Sequence, residues 1–154
     1  MKTQIYSSPI GMLIIGMNIE GAVVNLQLVE GLEHSEKPDA SSQFLRVFQE
    51  LNEYFAGLRK VFTIQTSASG TDFQKRVWKQ LTTVPYGETI SYSQLAQGIN
   101  NPYAARAVGN ALAANPIPIL IPCHRVITAS GKIGNYALGA ESKMLLLDLE
   151  GRDK

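Results

Sequence analysis

The run Ile117-Pro118-Ile119-Leu120-Ile121-Pro122-Cys123-His124-Arg125-Val126 limits what this chain can fold into more than any other stretch. Pro116, Pro118 and Pro122 fix φ and remove backbone donors, so the run can form neither a regular helix nor a central strand. An apolar segment that cannot join a sheet is expected as irregular chain packed on a core. Its end carries the single cysteine of the sequence, one of the two histidines, and an arginine, side by side. A rigid, non-repetitive segment suits the presentation of a reactive group.

A lone cysteine excludes an internal disulfide, and it excludes a thiolate zinc cluster or an iron-sulfur centre built by this chain alone. A free thiol fits a reducing cytosol. The start, MKTQIYSSPIGMLIIG, has one lysine, an early Pro9 and a short apolar run broken by glycines, so neither a signal peptide nor a membrane span is expected. The expectation is therefore a cytoplasmic protein. Net charge is +1 but unevenly spread, with −2 over residues 1–66 and +3 over residues 67–154. The second half is the better candidate for a polyanion, although +3 alone does not establish one.

Gln4 to Tyr6, Gly11 to Met17 and Ala22 to Leu28 are rich in β-branched and apolar residues, with a turn at Asn18-Ile19-Glu20-Gly21. They predict a small antiparallel sheet. Glu30 to Ala40 is polar and acidic, and its His34 reads as a solvated side chain without a role. From Ser41 the period changes: Phe44, Val47, Phe48, Leu51, Tyr54 and Phe55 give an amphipathic helix covering the sheet, with Gly57 as its stop. Val61 to Ile64 reads as a further strand, and Thr66 to Gly70 as a linker between domains at 1–66 and 67–154.

Thr71 with Gln74, and Ser91 with Gln94, are capping boxes for two helices, the first carrying Phe73, Val77, Trp78 and Leu81, the second closing at Gly98. Asn101 is read as the cap of a third helix, with Pro102 at its first position and a left-handed stop at Asn115. The second and third helices have the outline of a helix-turn-helix. In Ala104-Ala105-Arg106-Ala107-Val108-Gly109-Asn110-Ala111 the small side chains let backbone approach a surface at Ala105, Gly109 and Asn110 while Arg106 projects. A tightly packed core helix explains the small residues equally well but leaves Arg106 unexplained. The last helix, Glu141 to Glu150, offers Met144, Leu145, Leu147 and Leu149 for burial and stops at Gly151.

Taken alone, the Cys123-His124 pair favours a small buried hydrophobe over a nucleophile, because consecutive side chains often diverge. A buried histidine needs a partner for its second nitrogen, and Glu141, Asp148, Glu150 and Asp153 are all available downstream. Spacing does not choose among them.

PCHRV, preceded by RAVGNALAANPIPILI and followed by GNYALG and KMLLLDLEG, resembles the active-site half of the O6-alkylguanine-DNA alkyltransferases, and TDFQKRVWKQLTTVPYGETISYSQLA extends the match upstream. The resemblance is nearly continuous from Gly70 to Gly151; residues 1–66 resemble the family's N-terminal domain only in outline. It implies an α/β (α+β) chain: an N-terminal antiparallel sheet with a covering helix, ribonuclease H-like in outline, then a mainly helical domain with a winged-helix-like helix-turn-helix. It also implies flipping of a damaged guanine from double-stranded DNA, entered through the minor groove, and irreversible transfer of its O6-alkyl group, chiefly methyl, to Cys123. O4-alkylthymine is a secondary substrate in the family.

By the same resemblance, His124 reaches Cys123 through a water and pairs with Glu150. Tyr92 turns the phosphate and donates a proton toward the departing guanine, Arg106 fills the gap left by the base, and Asn115 holds the turn before the cysteine. Tyr136 is an aromatic wall of the base pocket, with Ala137, Leu138 and Val126 beside it. Leu138 stands where the family often has glycine and would narrow the pocket. No cofactor, metal, membrane or obligate protein partner is implied, and the chain is expected as a monomer. Relatives that only recognise lesions replace the cysteine, commonly with tryptophan, so Cys123 argues against that type. A helix-turn-helix regulator would not need Cys123 at all, and a cysteine hydrolase would turn over.

Overall fold

Alternating apolar residues between tight turns organise the first third of the chain. The structure, a computed structural model, describes residues 1–30 and 42–151; His34 and Asp153 lie outside them. Two compact units divide the chain, Met1–Ala68 and Ser69–Lys154.

In the first unit, β1 (Lys2–Ser8), β2 (Gly11–Met17) and β3 (Val23–Val29) form an antiparallel sheet in the order β1-β2-β3. Tyr6 lies opposite Leu13, and Leu13 opposite Leu28. At the β2–β3 turn the Asn18 side-chain oxygen accepts from the N–H groups of Glu20 and Ala22 (3.0 and 2.9 Å), and Gly21 takes φ 84°. Because side chains alternate across a strand, Leu13, Ile15 and Met17 are all buried on one face. The helical period of Phe44, Val47, Phe48, Leu51 and Tyr54 gives α1 (Ser42–Phe55) its buried stripe. Tyr6 stacks on Phe48 at 5.4 Å and donates its hydroxyl to Asn52 (2.5 Å), fixing helix to sheet. Gly57, at φ 77°, ends the helix as expected.

The strand expected at Val61 to Ile64 does not form. The Thr63 N–H donates to the carboxylate of buried Glu50 (2.8 Å), and the Thr63 hydroxyl donates there too, so this backbone is satisfied away from the sheet. Just beyond it, Thr66 forms an isolated bridge with Val23 of β3.

The second unit contains α2 (Asp72–Leu81), β4 (Ile90–Ser91), α3 (Tyr92–Gly98), α4 (Ala105–Ala113), a 3-10 turn (Cys123–Arg125), β5 (Val126–Ile127) and α5 (Ala140–Leu149). Both capping boxes are present: Thr71 and Gln74 exchange bonds of 2.9 and 3.1 Å, and Ser91 and Gln94 bonds of 2.8 and 3.0 Å. The short strands β4 and β5 pair in parallel, which brings the start of α3 beside the end of the Cys123 turn. Trp78, 3 % exposed, donates its indole N–H to the Ala111 carbonyl (2.9 Å), locking α2 to α4.

Three local expectations are corrected. First, α4 starts at Ala105, because the Ala104 N–H closes a tight turn onto the Asn101 carbonyl (3.0 Å) before the helical ladder begins. Asn101 does not cap it. Second, Asn115 is not a left-handed stop: among the described residues the non-glycine positive φ values belong to Asn100 (60°) and Ile119 (76°). Third, α5 buries Ser142, Lys143, Leu146 and Leu147, leaving Met144 (47 %) and Leu145 (37 %) exposed. The inward Lys143 ammonium donates to main-chain carbonyls of Val126 and Asn135, which lets it take a place on that face. Among the described residues no helix is long and apolar enough to cross a membrane.

Candidate active site

The proline-rich run is irregular and packed, as its sequence dictates. Ile117, Ile119 and Ile121 are all buried, and the Ile121 N–H returns to the Ile117 carbonyl (3.0 Å). Ile119 holds φ 76°, an unfavourable backbone for a β-branched residue. Asn115 over-determines the turn: its side-chain oxygen accepts from the Ile117 N–H and its amide donates to the Ile121 carbonyl, each at 3.0 Å. Pro122 then leads into the 3-10 turn, where Cys123, His124 and Arg125 are all buried.

Glu150, at the end of α5, is the carboxylate that meets this turn. His124 Nε2 lies 2.7 Å from Glu150 Oε2, Arg125 Nε donates to Oε1 (2.8 Å) and Nη2 to Oε2 (3.1 Å). The remaining Arg125 branch donates to the Val84 carbonyl (2.8 Å). Burial acts to raise the Glu150 pKa, but the hydrogen bonds from His124 and Arg125 and the charge of Arg125 hold it at about 2. Burial also lowers the pKa of His124, which overcomes the opposing pull of Glu150 and keeps the ring neutral. A neutral imidazole beside an ionised carboxylate must carry its proton on Nε2. Its Nδ1 is thus a lone pair, and among the described residues it has no hydrogen-bond partner. That nitrogen is a buried proton acceptor.

Cys123 is 4 % exposed, and burial pushes its thiol pKa up to about 11; hydrogen bonding by Asn115 and the charge of Lys143 act in the opposite direction. At neutral pH it is a protected thiol that needs a base. Cys123 lines a cavity of about 530 Å³. Its lining includes Ala105, Arg106, Gly109 and Asn110 of α4, the residues expected to face DNA, together with Tyr92 and the loop of Asn135, Tyr136 and Ala137. Burial and the neighbouring Cys123 raise the Tyr92 pKa, so the phenol keeps its proton. Gly134 takes φ 77°, and a Cβ there would stand 2.9 Å from the Tyr92 hydroxyl oxygen; glycine keeps that hydroxyl clear.

Residues 72–152 match the DNA-binding domain of 6-O-methylguanine DNA methyltransferase, and residues 1–68 match its ribonuclease-like domain. The chain belongs to the 6-O-methylguanine DNA methyltransferase family. A methylated-DNA–protein-cysteine methyltransferase of Methanosarcina acetivorans is 44 % identical, covering 98 % of this chain and 99 % of its own. One from Mycobacterium tuberculosis is 47 % identical, covering 93 % and 88 %. Among solved structures, M. tuberculosis O6-methylguanine methyltransferase gives a TM-score of 0.85 at 44 % identity, covering 98 % and 92 %. The M. tuberculosis protein OGT in complex with DNA gives 0.87 over the same shares.

In this member of the methyltransferase family, Cys123, Tyr92, Arg106, Tyr136 and Ala137 border one cavity, while His124, Glu150 and Asn115 are buried around the turn that carries Cys123. Val126 and Leu138 are not among the lining residues. Both are buried, Val126 completely in β5 and Leu138 at 8 % exposure. Sequence reasoning missed Leu112, Ala113 and Asn135 as lining residues, Arg125 as the second partner of Glu150, and Lys143 altogether. Arg125 was visible beside the Cys-His pair, but nothing in a helical lysine such as Lys143 signals burial.

Proposed function

We propose that this protein repairs DNA by taking the O6-alkyl group of damaged guanine, chiefly methyl, onto Cys123, once per molecule, with O4-alkylthymine as a secondary substrate. The observation that carries this reading is the buried thiol at a cavity large enough to admit a base, next to a histidine whose Nε2 is fixed on Glu150 and whose Nδ1 is open among the described residues. A relative in complex with DNA supports DNA as the partner.

The small residues of α4 suit entry into the minor groove, where backbone lies close to DNA. Flipping the damaged base costs a few kcal/mol of pairing and stacking, and exposed Arg106 offsets part of it by filling the gap. With the base in the cavity, the Cys123 proton passes to His124 Nδ1, by way of a water, and Glu150 stabilises the imidazolium. The sulfur attacks the alkyl carbon; the S–C bond forms, the C–O6 bond breaks and its electron pair goes to the guanine. Tyr92 donates a proton so that neutral guanine departs, and proton return from the imidazolium restores the phenol. The net change is thiol plus O6-methylguanine to thioether plus guanine. No group beside Cys123 can cleave a thioether, which makes the transfer final. The protein acts as a cytoplasmic monomer without a cofactor.

Incubation with duplex DNA carrying radiolabelled O6-methylguanine tests the reading. Label is expected on the protein, at most one per molecule; repeated turnover, or no transfer, contradicts it.

A further inference from the structure

The face of α4 that lines the cavity carries two polar side chains, Arg106 and Asn110; Ala105, Gly109, Leu112 and Ala113 offer no side-chain hydrogen-bonding group. Arg106 and Asn110 stand about one helical turn apart, and both are exposed. Among the described residues the Asn110 carboxamide has no hydrogen-bond partner, so the fold makes no use of it. Asparagine is also a poorer helix former than the alanines around it. A neutral donor and acceptor is thus presented beside Gly109 and Ala113, which are too small to hold a partner off.

We infer that Asn110 reads the minor-groove edge of the base pair beside the lesion and favours G·C there. This rests on the reading above, in which α4 enters the minor groove and Arg106 fills the gap left by the flipped base. Four helical residues rise about 6 Å, less than two base-pair steps of about 3.4 Å, so Asn110 falls on the pair next to that gap. Every base pair shows acceptors in the minor groove, and G·C adds a donor, the guanine N2 amino group. A carboxamide has two N–H donors and an acceptor oxygen. Beside G·C it donates to a ring acceptor and accepts from the amino group. Beside A·T its oxygen faces acceptors alone and loses water without a replacement. Arg106 has only donors and cannot make this distinction. The consequence is a repair rate that depends on the sequence next to the lesion.

The test is single-turnover methyl transfer from duplexes in which the pair flanking O6-methylguanine is either G·C or inosine·C, placed on each side of the lesion in turn. Inosine lacks only the N2 amino group of guanosine. Comparing Asn110→Ala with the unmodified protein on the same duplexes cancels the easier opening of the inosine pair. The loss of rate caused by Asn110→Ala is expected to be at least about fivefold larger beside G·C than beside inosine·C, on one side of the lesion. Alanine at an exposed helical position favours the helix, so the variant is expected to fold. An equal loss on every duplex, as a phosphate contact or a contact with the flipped guanine would give, overturns the inference, and so does the absence of any loss. The two readings fail separately: no transfer by the unmodified protein on any duplex removes the repair function and this inference with it, whereas transfer without the context effect removes only the role of Asn110.

Discussion

Cys123 illustrates how burial and reactivity are reconciled in one side chain. With its pKa raised to about 11, the resting thiol is shielded from casual electrophiles and from oxidation, which act on thiolates. Reaction then depends on a local base, and the neutral His124, with Nε2 held by Glu150, offers Nδ1 for that purpose. Arg106 differs in being exposed at the mouth of the cavity. If it fills the space left by a flipped base, Arg106→Ala loses only the part of the reaction that opens DNA. Transfer from duplex O6-methylguanine is expected to fall about ten- to hundredfold, a share of the few kcal/mol that flipping costs, while transfer from the free modified base stays near its original rate. Equal losses on both substrates would remove Arg106 from that role.

Among the elements, the turn from Asn115 to Pro122 depends most on a single residue. Two buried hydrogen bonds from Asn115 hold a backbone that includes the unfavourable φ of Ile119. Asn115→Ala is expected to cost about 2–4 kcal/mol in urea unfolding, since two buried main-chain groups lose their partner, and to slow Cys123 in whatever protein remains folded. Asn115→Asp keeps the acceptor for the Ile117 N–H and should fall between; an Asn115→Ala protein as stable as the original would contradict this. Elements whose patterns are local were legible from sequence: the strands, the stripe of α1, both capping boxes and the irregular proline run. Elements decided by tertiary partners were not. Thr63 gave its N–H to Glu50 instead of a strand, Asn101 used its carbonyl in a turn, and α5 turned Lys143 and Glu150 inward because carbonyls and cations waited there. For the site, the resemblance singled out Glu150 from four carboxylates where spacing could not, and Glu150 is the one bonded to His124.

For the whole molecule, buried ionisable groups tie stability to pH in a stated direction. The folded chain holds His124 neutral, so the unfolded chain gains protons first as pH drops below about 6.5, and stability declines. The Glu150 pKa is lowered from 4.5 to about 2, so its contribution is complete above about 4.5 and is lost as pH falls through that window. The loss from Glu150 is on the order of 3 kcal/mol. Urea midpoints measured from pH 7 down to about 2 should fall in both windows, and Glu150→Gln should flatten the lower one; a midpoint independent of pH there would mean the His124–Arg125–Glu150 cluster does not form. All of this surrounds one sulfur. The most direct measurement is a peptide map by mass spectrometry after reaction with duplex DNA containing O6-methylguanine. A single added methyl on the Cys123 peptide, matched by restored guanine in the DNA and absent in Cys123→Ala, is the predicted result; methyl on another residue, or restored guanine without a methylated protein, would contradict it.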